Sequence, residues 1–154
     1  MGNGLALGGV VGRAEIIDCF KANSISTFGG NPLATAGALA NLKYLIDHDL
    51  QGNALKQGAR IREILEPVVE ETEWIAELRG KGLMLAIETV KPGGTEPDAA
   101  MAGAIMEGTK ERGLLVGKGG LYGNVLRLAP PLSITDEEAE EGALIIVDTI
   151  RALS

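Results

Sequence analysis

Ser26-Thr27-Phe28-Gly29-Gly30-Asn31-Pro32 marks the point where irregular chain turns into helix. Two hydroxyls are followed by two glycines, which permit close backbone approaches that a β-carbon forbids. Asn31 reads as an N-cap, its side-chain oxygen accepting from free N–H groups of a helix start. Pro32 suits the first helical position, because it has no N–H to lose and its φ is preset. It also holds Asn31 in the extended region. Such a turn suits an anion, since N–H donors and the positive helix end point the same way. Gly-rich turns before helices are common, however, and most of them bind nothing, so these residues alone leave both readings open.

The chain of 154 residues suffices for one good core, or for one domain and part of another. Hydrophobic residues make up 45% and charged residues 23%, the composition of an ordinary soluble globular protein. Aromatics are only 3%, so the core must be built from Leu, Ile, Val, Ala and Met. The 22 glycines are about twice the usual share and follow no repeat, which implies many tight turns. A net charge of −7 without a basic patch argues against nucleic acid or an anionic membrane as partner. The single Cys19 excludes an intrachain disulfide. His48 is the only histidine, so neither a metal cluster nor a His-dependent triad is expected. Met1-Gly2-Asn3-Gly4 lacks the basic start of a signal peptide, and no apolar run approaches a membrane span. A cytoplasmic protein is the expectation.

Residues 4–12 read as a Gly-flanked strand covered on both faces, as in a parallel sheet. Residues 13–20 read as a short helix with Cys19 as a small core residue. A helix is expected over 32–47, with Leu33, Leu39, Leu42 and Ile46 in a broad apolar face. Gly37 within it implies packing against another backbone, and His48 reads as a solvated loop residue. Helical spacing resumes at 50–66, where Pro67 should end or kink it, and 67–73 becomes an acidic connector. From Trp74 the pattern changes. Residues 74–79 and 83–90 read as strands joined at Gly80-Lys81-Gly82. On the second, Leu83, Leu85 and Ile87 share one face, with Met84, Ala86 and Glu88 on the other. A helix over 97–112 faces Met101, Ala104 and Ile105 inwards and stops at Gly113. Strands follow at 114–117 and 125–129. Thr135-Asp136-Glu137-Glu138 is a capping box that opens a final helix with Ala139, Ala143, Ile146, Val147 and Ile150 in one stripe. The stretch 74–154 therefore reads as a small α/β sandwich, a mainly antiparallel sheet with helices on one face.

Arg127 is the oddity of that module, a guanidinium on a strand of leucines. It is either an edge-strand arginine, solvated or paired with a local glutamate, or a bidentate clamp for a carboxylate.

The segments GNGLALGGVVGR (2–13), STFGGNP (26–32), RGKGLMLAIE (79–88), GLLVGKGG (113–120) and VLRLAPPLSIT (125–135) together resemble the class III, ornithine-type, pyridoxal-phosphate-dependent aminotransferases of fold type I. They stand in that family's order, and the alanine–glyoxylate aminotransferase 2-like branch is the nearest match within it. The resemblance implies an α/β fold in which 1–32 ends the cofactor-binding large domain. Residues 33–73 would be connecting helices and 74–154 the C-terminal small domain. It implies a homodimer in which Thr27, helped by Ser26, donates to the phosphate of the partner's pyridoxal 5′-phosphate. It implies that Arg127 binds the carboxylate of amino acid and 2-oxo acid substrates.

The same resemblance places the Schiff-base lysine immediately before Gly2-Asn3-Gly4, upstream of Met1. The aspartate for the pyridine nitrogen, the stacking aromatic and the main phosphate loop would also lie upstream. None of Lys21, Lys43, Lys56, Lys81, Lys91, Lys110 or Lys118 has the matching context. The expectation is thus the C-terminal part of a transaminase, inactive by itself because transamination needs that lysine. The alternative is a non-catalytic binding or assembly module that pairs with a complete subunit.

Overall fold

The computed structural model describes residues 3–154, as two compact units that meet in sequence between Asp49 and Leu50. Met1 and Gly2, where the GNG segment begins, lie outside the described residues.

The first unit corrects part of the sequence reading. No strand runs over 4–12: a lone bridge at Leu5 does not extend into a ladder. Val10 and Val11 stand fully open to solvent rather than covered on both sides. Helix α1 (Ala14–Ile17) is a single turn, too short to lay Cys19 against a core. Cys19 is exposed and its thiol donates to the Glu15 carbonyl at 3.1 Å. Helix α2 (Pro32–Asp47) begins where expected, the Asn31 side chain accepting from the Ala34 N–H at 2.9 Å. Its buried residues are Ala34 and Ala38, neither of them in the expected apolar face, while Leu33, Leu39, Leu42 and Ile46 remain exposed. Gly37 makes room for a side chain instead of a backbone: a β-carbon there would meet Leu5 Cδ1 at 2.2 Å. His48 caps the helix, exposed, with its ring 4.1 Å from that of Tyr44.

The second unit is a two-layer α/β structure built from α3 (Leu50–Glu71), β1 (Ile75–Lys81), β2 (Met84–Thr89), α4 (Ala99–Glu111), β3 (Gly117–Gly119), β4 (Val125–Leu128) and α5 (Asp136–Leu153). The strands form one antiparallel sheet in the order β1-β2-β4-β3. Helix α3 runs on through Pro67 to Glu71, so neither a stop at Pro67 nor an acidic connector over 67–73 is found. Proline removes one helical hydrogen bond, and burial of the flanking Leu65 and Val68 opposes that loss. The β1–β2 turn falls at Gly82-Leu83, one residue later than the glycine pattern suggests, with Gly82 at φ +55°. Helix α4 is capped by Asp98, which accepts from Ala100 and Met101, and it buries Ala102 and Ile105 more deeply than Met101 or Ala104.

Strand β3 lies at 117–119 and not at 114–117. Gly113 adopts φ +89°, its N–H bonds to Lys110, and the Leu114 N–H bonds to Thr109 at 2.9 Å. That Schellman-type exit keeps Leu114 in the helix terminus and postpones the strand. Helix α5 carries the expected capping box, with the Thr135 side chain and the Glu138 side chain bonding reciprocally.

All three long helices of this unit pack on the same sheet face. Leu65 of α3, Ile105 of α4 and Ile150 of α5 meet Ile87 and Leu126 of the sheet in one core cluster. Burial of each such side chain contributes about 1.5–3 kcal/mol before conformational entropy is counted. Arg79, Glu88 and Arg127 stand on the opposite sheet face.

Candidate functional site

Strand β4 alternates. Leu126 and Leu128 point into the core, so Arg127 must point the other way. The register sets Arg127 opposite Ala86 on β2 and opposite Gly117 on β3. Small neighbours on both sides leave the arginine room. A β-carbon on Gly119 would come within 3.1 Å of Arg127 Cδ, so the glycines of β3 also make a bed for its stem. The Arg127 side chain is exposed and has no ion-pair or hydrogen-bond partner among the described residues. It is an interior strand residue, with β2 on one side and β3 on the other. The strand is therefore not an edge strand, and among the described residues no glutamate pairs with Arg127, whose side chain is solvated.

A second arginine on the same open face is treated oppositely. Arg79 stands across from Ala86 on β1 and pairs with both Glu88 and Glu77. Buried Asn124 holds the other oxygen of Glu88, its amide donating at 3.2 Å, and also donates to the Thr89 carbonyl at 2.9 Å. Arg79 first and Asn124 second hold the Glu88 carboxyl below its ordinary range, and the same pairing raises Arg79. This cluster was missed in the sequence reading. The signal was present: strand alternation puts Glu77, Arg79 and Glu88 opposite Leu78 and Ile87. Asn124, in a loop, gave none.

The unit also has a cleft of about 800 Å³ beside the end of β4. Its walls are largely apolar, with Leu114, Val116, Leu128, Ile134 and Ile146 among them, and Arg127 borders it. No group of three or more potential metal ligands occurs among the described residues, and none of the described helices is long and apolar enough to cross a membrane.

Ser26 and Thr27 belong to the first unit. Both are exposed, in a turn closed by the Gly29 N–H donating to the Ser26 carbonyl at 3.1 Å and the Asn31 N–H donating to Phe28 at 3.3 Å. Gly30 takes φ +71°, the left-handed step that brings the chain onto the helix. Neither hydroxyl has a hydrogen-bond partner among the described residues, so both are free to donate outwards. The turn thus has the donors an anion needs, on the approach to a capped helix start.

Comparison with known proteins finds relatives along most of the chain. The family model described as "Aminotransferase class-III" matches residues 1–150. An alanine/serine racemase of Pyrococcus horikoshii is 40% identical over 149 residues, which cover 97% of this chain and 31% of that protein. The alanine–glyoxylate aminotransferase 2 homolog 2, mitochondrial, of Arabidopsis thaliana is 41% identical over 142 residues, 91% of this chain and 30% of that protein. Among solved structures, an Arthrobacter phospholyase in complex with phosphoethanolamine superposes with a TM-score of 0.82 at 31% identity, covering 92% of this chain and 34% of that one. The chain therefore spans about a third of the length of the curated relatives it matches.

Proposed function

The chain belongs to the class III aminotransferases, and from that premise we propose that it is the C-terminal part of an enzyme moving an amino group from an amino acid or ω-amine to a 2-oxo acid. The observation that carries this reading is Arg127: a cation on an interior strand, without a carboxylate partner among the described residues, in a segment that resembles the family's VLRLAPP. In this reading 1–32 ends a cofactor-binding domain, 33–73 connects, and 74–154 is the small domain.

Pyridoxal phosphate is the family's cofactor. The residues present fit a share in holding it: Ser26 and Thr27 offer unpaired hydroxyl donors, and a phosphate takes such donors readily. Bound, the cofactor supplies covalent capture of the amino group and an electron sink for the substrate Cα. This chain's own contribution is binding and orientation. Thr27 and Ser26 donate to a phosphate held chiefly by the partner subunit of a homodimer. Arg127 takes both oxygens of the substrate carboxylate in its planar fork and so fixes which way Cα faces. No lysine of the sequence stands in the context of the one that binds the cofactor covalently, so the 154 residues alone should not turn over.

A chimera tests the proposal. These residues replace the matching third of the Arabidopsis relative, and transfer from alanine to glyoxylate is assayed. Turnover is expected, and Arg127→Ala should raise KM for alanine far more than for an ω-amine that lacks the α-carboxylate. A chimera that folds and takes up cofactor yet transfers no amino group would overturn it. A second reading, a non-catalytic assembly module, draws on the exposed Val10, Val11, Ile25, Phe28 and Leu33 of the first unit. Light scattering separates the two: a monodisperse monomer with no affinity for a complete subunit rejects the module.

A further inference from the structure

We propose that Arg79 is a positioning residue that holds Glu88 away from Arg127 and thereby keeps Arg127 unpaired; the inference rests on the reading of Arg127 as a carboxylate receptor. The register supplies the argument. Ala86 pairs with Arg127, and Glu88 pairs with Val125, so Glu88 and Arg127 are diagonal neighbours on adjacent strands. Diagonal positions lie roughly 7–8 Å apart at the backbone, within reach of two long side chains. Glu88 is thus placed to neutralise Arg127, and a neutralised guanidinium would not accept an incoming carboxylate. It does not do so. Its carboxylate is taken on one side by Arg79 and on the other by the amide of Asn124 at 3.2 Å. Arg79 in turn is steadied by Glu77 at 2.5 Å. Asn124 is 1% exposed and tied to the Thr89 carbonyl, so it cannot follow Glu88 towards Arg127. The groups facing Glu88 across the open face are Glu77 and Arg79 from β1, Arg127 from β4 and Asn124 from the loop before it. Two cations and two carboxylates could pair off completely there. The arrangement instead spends both carboxylates on Arg79 and leaves Arg127 with none.

Side-chain NMR on the full chain tests this. In the unaltered protein the Arg79 Nε–H signal should move as Glu88 takes up its proton, and the Arg127 signal should not. If Arg127 follows Glu88 instead, the proposal is overturned. Arg79→Gln should transfer that response to Arg127 and weaken pyruvate binding, read at Arg127 at constant ionic strength, by about threefold, the scale of an exposed ion pair. Adding Glu88→Gln to Arg79→Gln should restore pyruvate binding, which a merely structural role for Arg79 would not do. Unchanged binding in the single variant, or no recovery in the double, rejects the arrangement. Should the Arg79→Gln chain not fold, the titration of the unaltered protein still decides it. An Arg127 signal indifferent to pyruvate in the unaltered protein would sink the carboxylate-binding reading, while the partner of Glu88 is settled separately by the pH titration.

Discussion

Gly82 turns its carbonyl oxygen onto Gly58 so closely that a β-carbon on Gly58 would lie 2.2 Å from it. The contact fixes the middle of α3 against the β1–β2 turn, backbone to backbone. Gly58→Ala must push the hairpin away from the helix, and overpacking of this kind costs about 1–3 kcal/mol. The urea midpoint should fall with the slope unchanged, in a chain that otherwise keeps its α/β spectrum. A midpoint equal to the parent's would mean that the helix and hairpin are not held at this separation in solution.

Thr135→Ala removes the acceptor of the α5 capping box and leaves the Glu138 N–H unsatisfied. The expected loss is about 1 kcal/mol. Thr135→Ser should recover most of it in the same urea titration, because the hydroxyl is what the helix start requires.

Arg127→Ala should leave stability within about 0.5 kcal/mol of the parent, the usual range for a surface change that touches no buried network. The side chain is exposed and unpaired, so nothing in the fold depends on its charge. A large loss of stability in chemical denaturation would indicate a structural partner for the guanidinium and weaken its reading as a receptor for ligand.

Acid should destabilise the second unit progressively. Glu88 is lowered by Arg79 and then Asn124, Asp98 by Lys91 and then the Met101 N–H, and Asp136 by Lys56 and then Gln57. A carboxyl with a depressed native pKa binds fewer protons folded than unfolded, so stability rises with pH across that range. The contribution is fully present above the unfolded carboxylate range and is lost as pH falls through it towards the lower native values. Urea midpoints from pH 7 down to about pH 3 should show this slope. Asp98→Asn should reduce it while keeping the α4 cap, since asparagine caps as well as aspartate.

The sequence made the second unit largely readable, for particular reasons. Alternation in Leu85-Ala86-Ile87-Glu88 named the buried face of β2, and Thr135 with Glu138 named the start of α5. Both are local rules. The errors came where tertiary contacts decide. Pro67 did not stop α3, because Leu65 and Val68 pack on either side of it. Leu114-Leu115-Val116 looked like a strand, but the Leu114 N–H had already been taken by Thr109. In the first unit, residues 4–12 have the composition of a covered strand, and composition does not provide the ladder. Arg127 was found by its oddity on an apolar strand. The Arg79–Glu88–Asn124 cluster was not: alternation put Arg79 and Glu88 on one face, but Asn124, 36 residues beyond Glu88 in a loop, carried no local signal.

The alternation of β4 has a further consequence, for insertions and deletions. Strand β4 is four residues long, and within it Leu126 and Leu128 pack in the core while Arg127 faces outwards. A substitution at Arg127 leaves the core leucines where they are. A single inserted residue between Val125 and Leu126 does not, because a one-residue slip reverses every side chain beyond it. Arg127 would be driven among Leu65, Ile105 and Ile150 while leucines faced the solvent. Length variation in this region should therefore be confined to the 120–124 loop and the Pro130-Pro131 exit, with the strand itself fixed in length.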